Sequence, residues 1–259
     1  MKLRLPLAAA RAYKSPAQRI GVLTEAWVAE RIFCPHCGSQ LKPFPANRPV
    51  ADFSCTKCNQ EYELKSKNGA IGKKVVNGAY LTMLQRLRAS NNPHFFFLSY
   101  ESPELRVRDF VAVPKYFFVP AIIEKRVPLA PTARRAGWVG CNILLASIPA
   151  LGRVAYISNG VVRSKEQVLQ DWHRTEFVGR TSNLDARGWL LDVLTCVEKI
   201  GRPEFTLDQV YAFEGWLKSR HPNNYHIRDK IRQQLQFLRD RGIIDFLARG
   251  RYRMKLVPS

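Results

Sequence analysis

The sequence predicts a mixed α/β domain with a four-cysteine metal element inserted in it, followed by a small C-terminal winged-helix domain. Three observations predict this. Cys34-x-x-Cys37 and Cys55-x-x-Cys58 are separated by 17 residues, which is zinc-ribbon spacing. Apolar strand-like runs alternate with amphipathic helical stretches over the first half of the chain. Beyond Thr181-Ser182-Asn183 the pattern changes to three helices and a hairpin.

In chain order, residues 21–33 (GVLTEAWVAERIF) place Val22, Ala26, Ala29 and Phe33 at helical spacing, with Thr24 or an earlier residue as cap. Glu25 either complements the helix dipole or faces the acidic residues discussed below. The cysteine segment follows. Lys67-Asn68-Gly69 reads as a turn, and 78–89 as a second helix with Leu81, Leu84 and Leu87 inward and Arg86 and Arg88 outward. Asn91-Asn92-Pro93 ends it. Residues 94–100 are an aromatic run with the composition of a buried central strand, and 108–113 a further strand.

Residues 126–143 are unlike a core element, with two prolines, two glycines, paired Arg134 and Arg135, and Trp138. Either the arginines clamp phosphates while Trp138 packs on a nucleic acid, or Trp138 plugs the core. Ser158-Asn159-Gly160 signals a hairpin, and a polar stretch rich in single charges follows it. The boundary then gives domains of residues 1–182 and 183–259. In the second, 184–200, 207–220 and 227–241 read as helices, and 243–246 with 251–254 as strands flanking Arg249-Gly250. The third helix presents His226, Arg228, Lys230, Arg232, Gln233 and Gln236 on a basic outer face, as a recognition helix requires. Arg249, Arg251 and Arg253 would hold phosphates from the wing.

Composition narrows the partner. The 259 residues carry 41 Lys+Arg against 21 Asp+Glu, a net charge of +20, which favours a polyanion, most commonly nucleic acid. No run of about 18 apolar residues exists to span a bilayer, and the apolar run in MKLRLPLAAARA is too short for a secretory signal. A cytoplasmic protein with no membrane partner is expected. Paired CxxC motifs suit that reducing compartment as metal ligands, leaving Cys141 and Cys196 as buried thiols.

Chemistry is carried by Asp52 and Glu63-Leu64-Lys65, a D…ExK arrangement around the second cysteine pair. Glu61, Glu63 and Lys65 share one face of any strand. Asp52, Glu63 and the Leu64 carbonyl are the oxygen ligands a Mg2+ ion takes against a phosphate, and Lys65 would orient the attacking water or stabilise the transition state. A closed shell of four thiolates has no open position, so Zn2+ at Cys34, Cys37, Cys55 and Cys58 is expected to be structural.

These residues, with LTEAWV at 23–28, NRPVADF at 47–53, ELKSK at 63–67, NNPHFFFLSY at 91–100, PLAPTARRAGWVGCNI at 128–143 and IRQQLQFLRD at 231–240, resemble the DpnI-like methyl-directed (type IIM) restriction endonucleases of the PD-(D/E)xK superfamily. The likeness covers nearly the whole chain. One departure is Ala51, which stands where the superfamily motif has proline. The resemblance implies a PD-(D/E)xK core, Mg2+-dependent cleavage of double-stranded DNA at GATC with N6-methylated adenines, and action as a monomer. Arginine-to-guanine and glutamine-to-adenine pairings from the third helix would suit that site. A non-enzymatic zinc-ribbon and winged-helix transcriptional regulator is the alternative; it accounts for the charge and the cysteines but not for Asp52, Glu63 and Lys65.

Overall fold

The structure is a computed structural model and describes residues 1–45, 51–89, 91–181 and 183–255. Asn47, Arg48, Pro49, Val50 and Ser182, invoked in the motif and the domain boundary, lie outside the described residues. The elements run α1 (Pro16–Arg31), β1 (Leu41–Pro43), β2 (Phe53–Cys55), β3 (Glu61–Asn68), β4 (Val75–Ala79), α2 (Tyr80–Arg88), β5 (His94–Glu101), β6 (Arg106–Val113), β7 (Ile123–Lys125), β8 (Gly140–Ile143), β9 (Val154–Ser158), β10 (Val161–Val162) and α3 (Lys165–Gly179). Then come α4 (Leu184–Ile200), β11 (Glu204–Thr206), α5 (Leu207–Tyr211), α6 (Glu214–Arg220), α7 (Ile227–Asp240), β12 (Ile244–Ala248) and β13 (Arg251–Met254).

Among the described residues the main sheet has the order β1-β2-β3-β5-β6-β9-β10, with β3 parallel to β5 and the other pairs antiparallel. The aromatic run of β5 is central, and His94 through Tyr100 are all buried. Period-two alternation splits it between two cores. Phe96 and Leu98 join Trp27 of α1, Trp172 of α3 and Tyr62 of β3, whereas Phe95 and Phe97 join Met83 and Leu87 of α2 and a cluster continuous with the C-terminal helices. Each such aromatic contributes roughly 1.5–3 kcal/mol by burial. His94 is buried as a neutral ring: its Nε2 meets Gln60 Oε1 at 2.8 Å, Nδ1 accepts from the Lys115 amide at 3.0 Å, and burial holds its pKa well below the usual value.

The helices depart from the expected bounds for local reasons. Ser15 and Pro16 start α1 earlier, because proline fits the first helical position. Thr24 is not a cap; it is buried, and its hydroxyl donates to the Ile20 and Gly21 carbonyls. In α2, which starts at Tyr80, Met83 and Leu87 are buried and Leu84 packs partly buried against the same cluster, whereas Leu81, also expected inward, is 70% exposed. The polar stretch after the hairpin is α3, begun by a capping box between Ser164 and Gln167 that lets the helix bury Val168, Trp172 and Val178. Asn159 and Gly160 hold the positive φ angles that the β9–β10 turn needs.

The C-terminal part has the helix-turn-helix arrangement with a wing. Thr206 and Gln209 cap α5, the 207–220 stretch breaks into α5 and α6 at Ala212-Phe213, and β11 adds a strand beside β13. This part is not a separate bead. Phe177 of α3 lies 6.3 Å from Phe237 of α7, and the Glu198 carboxylate of α4 accepts from the Ala150 and Leu151 amides at 2.8 and 3.3 Å. No helix among the described residues is long and apolar enough to cross a membrane.

Burial raises the Glu198 carboxyl above its ordinary 4.5. The folded chain therefore favours the protonated form. The stabilisation is full below the unfolded value and declines as pH rises through the raised folded value. Thermal melts between about pH 4 and 7 should show wild type losing stability relative to Glu198→Gln as pH rises; a constant difference between the two would remove Glu198 as the source.

Candidate active site and metal centre

The cysteines converge because two short turns repeat the same hydrogen bonds. Cys34 donates its amide to the Ser39 carbonyl and accepts from the Gly38 amide, both at 2.8 Å. Cys55 likewise donates to Gln60 at 2.9 Å and accepts from Asn59 at 3.2 Å. Each turn requires a left-handed residue after its second cysteine, supplied by Gly38 (φ 72°) and Asn59 (φ 57°). The four Sγ atoms all lie within 4.8 Å of one another, with Cys34–Cys58 at 3.5 Å and Cys37–Cys55 at 3.4 Å. Tetrahedral zinc with bonds of about 2.3 Å sets its sulfurs about 3.8 Å apart, so this cluster could hold zinc. Cys141 and Cys196 are buried elsewhere as free thiols, as expected.

Strand β3 joins this cluster to the acidic residues. Tyr62 is fully buried, stacks on Phe96 at 4.5 Å and places its hydroxyl 3.1 Å from Cys34 Sγ. Its neighbours Glu63 and Lys65 project to the opposite face, opposite Phe95 and Phe97 of β5. Lys65 Nζ is 2.6 Å from Glu63 Oε1, and Arg86 Nη2 from α2 is 3.0 Å from Glu63 Oε2. Arg86 was expected to face outward; it faces inward, with its side chain 19% exposed, because its guanidinium pairs with the Glu63 carboxylate of β3.

Asp52 sits just before β2. Its amide donates to the Tyr62 carbonyl at 2.9 Å, and its Oδ2 accepts from the Leu64 amide at 2.6 Å. Desolvation raises the Asp52 pKa, Glu63 adds to the rise, and the Leu64 amide, Lys65 and Arg86 oppose it. Asp52, Glu63, Leu64 and Lys65 are thus brought together. Glu25 joins them: it lies mid-helix in α1, far from the first turn where a dipole role belongs, and desolvation and the Asp52 charge raise its carboxyl.

The nucleic-acid candidates fall in two places. Arg134, Arg135 and Trp138 lie on the β7–β8 loop; the arginines are exposed, and Arg135 covers the Trp138 ring at 4.6 Å. Trp138 is half-buried outside both cores, resting where a Cβ on Gly140 would come within 2.9 Å of it. It is not a core plug. In α7, His226, Arg228, Arg232, Gln233 and Gln236 are exposed and Lys230 is partly so, while Ile231, Leu235 and Leu238 face inward. Arg228 bonds Glu214 at 2.8 Å, Arg232 bonds the Tyr211 hydroxyl and Asp229, and Lys230 bonds Gln233 at 2.7 Å. On the wing Arg249 and Arg251 are exposed, but Arg251 and Arg253 both approach Glu204 of β11, at 3.8 and 2.7 Å. The unexpected β11 supplies that carboxylate.

The sequence analysis set Arg86 on the outer face of its helix, because its partner Glu63 lies on a distant strand.

A family model described as "DpnI: Dam-replacing family" matches residues 1–181, and one described as "Dam-replacing HTH domain" matches residues 185–254.

Replacing Cys55 by Ser removes one of four thiolates. Because metal-binding energy at such a site is folding energy, on the order of 10 kcal/mol in small zinc modules, Cys55→Ser should lose the thiolate-bound metal and melt far below wild type. Cobalt absorption and circular dichroism check this, and a variant that remains as stable as wild type would deny the cluster a structural role.

Proposed function

Since the chain belongs to the DpnI, or Dam-replacing, family, we propose that it is a Mg2+-dependent type II restriction endonuclease that cleaves double-stranded DNA at adenine-methylated GATC. Residues 1–182 are the catalytic domain, with a PD-(D/E)xK core, and 183–259 the DNA-reading winged helix. The observation that carries the reading is the convergence of Asp52 with Glu63 and Lys65 beside the Leu64 backbone, with Oδ2 of Asp52 2.6 Å from the Leu64 amide. Amide and carbonyl of one strand residue point to the same side, so the Leu64 carbonyl faces the Asp52 edge. Two carboxylates and that carbonyl form an all-oxygen donor set, which fits Mg2+.

Bound there, Mg2+ would acidify the attacking water and neutralise charge growing on the phosphate oxygens. The protein's part is positioning. Asp52 is fixed by the Leu64 amide, and Glu63 is held from both sides by Lys65 and Arg86. The Lys65 ammonium orients water and stabilises the developing anion. Glu25, whose carboxyl is raised by burial and by the Asp52 charge, would add a third carboxylate.

For recognition, the exposed polar face of α7 enters the major groove, and Arg249 and Arg251 hold the backbone. Arg134, Arg135 and Trp138 contact DNA from the catalytic domain. A single N6-methyl group in an apolar pocket is worth only about 1–3 kcal/mol, so reading both adenines of the palindrome multiplies discrimination. One active site then cuts the strands in turn as a monomer. A regulator would have no use for Lys65 and Arg86 clamped on Glu63.

The test uses one plasmid, methylated or unmethylated at GATC adenines, with Mg2+ or EDTA. Fragments should come from the methylated plasmid with Mg2+ alone; no cutting with a retained gel shift would favour the regulator. Asp52→Ala and Lys65→Ala should each lower cleavage at least ~100-fold while leaving DNA binding and zinc content intact.

A further inference from the structure

The four-cysteine cluster is not the only place where metal-binding side chains converge. His36 lies between the two cysteines of the first turn, and its Nδ1 is 2.9 Å from Glu176 Oε1. His173, three residues before Glu176 on the same face of α3, places its own Nδ1 2.9 Å from that same oxygen. The imidazole centroids are 5.7 Å apart, and the three donor atoms all lie within 4.8 Å of one another. Both rings are aimed at one carboxylate oxygen.

We propose that His36, His173 and Glu176 form a second transition-metal site, separate from the four-cysteine centre and taking Zn2+. With metal–ligand bonds of about 2.0–2.1 Å, tetrahedral donors stand about 3.3 Å apart. The two oxygen–nitrogen separations have to open by a few tenths of an ångström and the rings to close toward each other, which side-chain rotation supplies. Two imidazoles and a carboxylate select borderline cations such as Zn2+, Co2+ and Ni2+ over Mg2+. The side chains are 37%, 51% and 33% exposed, so the fourth position is open to water.

Its consequence follows from the elements it joins. His36 belongs to the cysteine turn and the other two ligands to α3, whose Phe177 packs near Phe237 of α7. The metal would therefore fasten the cysteine turn to the helix on which the C-terminal part is seated.

The test is titration of the full-length protein, its four-cysteine centre already zinc-loaded, with Zn2+ by calorimetry and Co2+ by absorption. In an Asp52→Ala background, which removes the carboxylate site, the protein should take one further equivalent, as wild type does beyond any metal held at that site, and the Co2+ form should lack thiolate charge-transfer absorption. His173→Ala and Glu176→Gln, each checked by circular dichroism, should weaken that equivalent at least ~10-fold. No further equivalent in the Asp52→Ala background overturns the proposal, as does thiolate absorption from it. An effect in only one variant, or in neither, also overturns it, because three ligands must act together.

Discussion

Alternation of side chains along β3 is the constraint on which the rest of the structure depends. A strand can send Tyr62 one way and Glu63 and Lys65 the other only if its register is fixed, because a slip of one residue would exchange the faces. Fixation comes from both sides. β5 pairs with β3 in parallel from Tyr62 to Asn68, and the Asp52 and Leu64 hydrogen bonds tie β3 to the segment entering β2. The cysteine cluster closes the β2–β3 turn. Metal there would act at a distance, by keeping Asp52 in register with Glu63 rather than by touching substrate.

The second constraint is electrostatic. Asp52 and Glu25 lie near Glu63, and burial makes Asp52 and Glu25 harder to ionise. The Leu64 amide, Lys65 and Arg86 oppose this at Asp52, while Lys65 and Arg86 also ion-pair with Glu63. Such a site is costly to assemble and suits a cation. The chain's +20 charge is a separate matter, and part of it is carried by exposed arginines such as Arg134, Arg135, Arg228 and Arg232. Several of those arginines are already held by Glu214, Tyr211 and Glu204. Their planes are therefore oriented in advance, which lowers the entropic cost of a bidentate contact.

Much of this was legible in the sequence because the informative signals were local. Cysteine spacing, the aromatic run of β5, the Asn-Gly turn, and the apolar stripe of Ile231, Leu235 and Leu238 each depend on neighbours a few residues away. The positions that escaped depend on distant ones. Arg86 faces inward to reach Glu63 of β3, and Arg251 and Arg253 turn to Glu204 because β11, three residues long, pairs with β13. Neither pairing has a periodic signature. The helix α3 was hidden among single charges, although Ser164 and Gln167 announced it.

The join between the two parts was the least legible feature, and its physics explains why. A linker rich in polar residues marks a boundary in sequence, yet Phe95 and Phe97 of β5 belong to one apolar cluster with Trp189, Leu190 and Leu235. Burying one core between both parts makes them stabilise each other. Glu198 then caps the amides of Ala150 and Leu151 across the same seam, where an unpartnered buried amide would cost about 1–3 kcal/mol. A C-terminal part seated this way shares its core with the sheet, so α7 and the Asp52 edge are held in one frame.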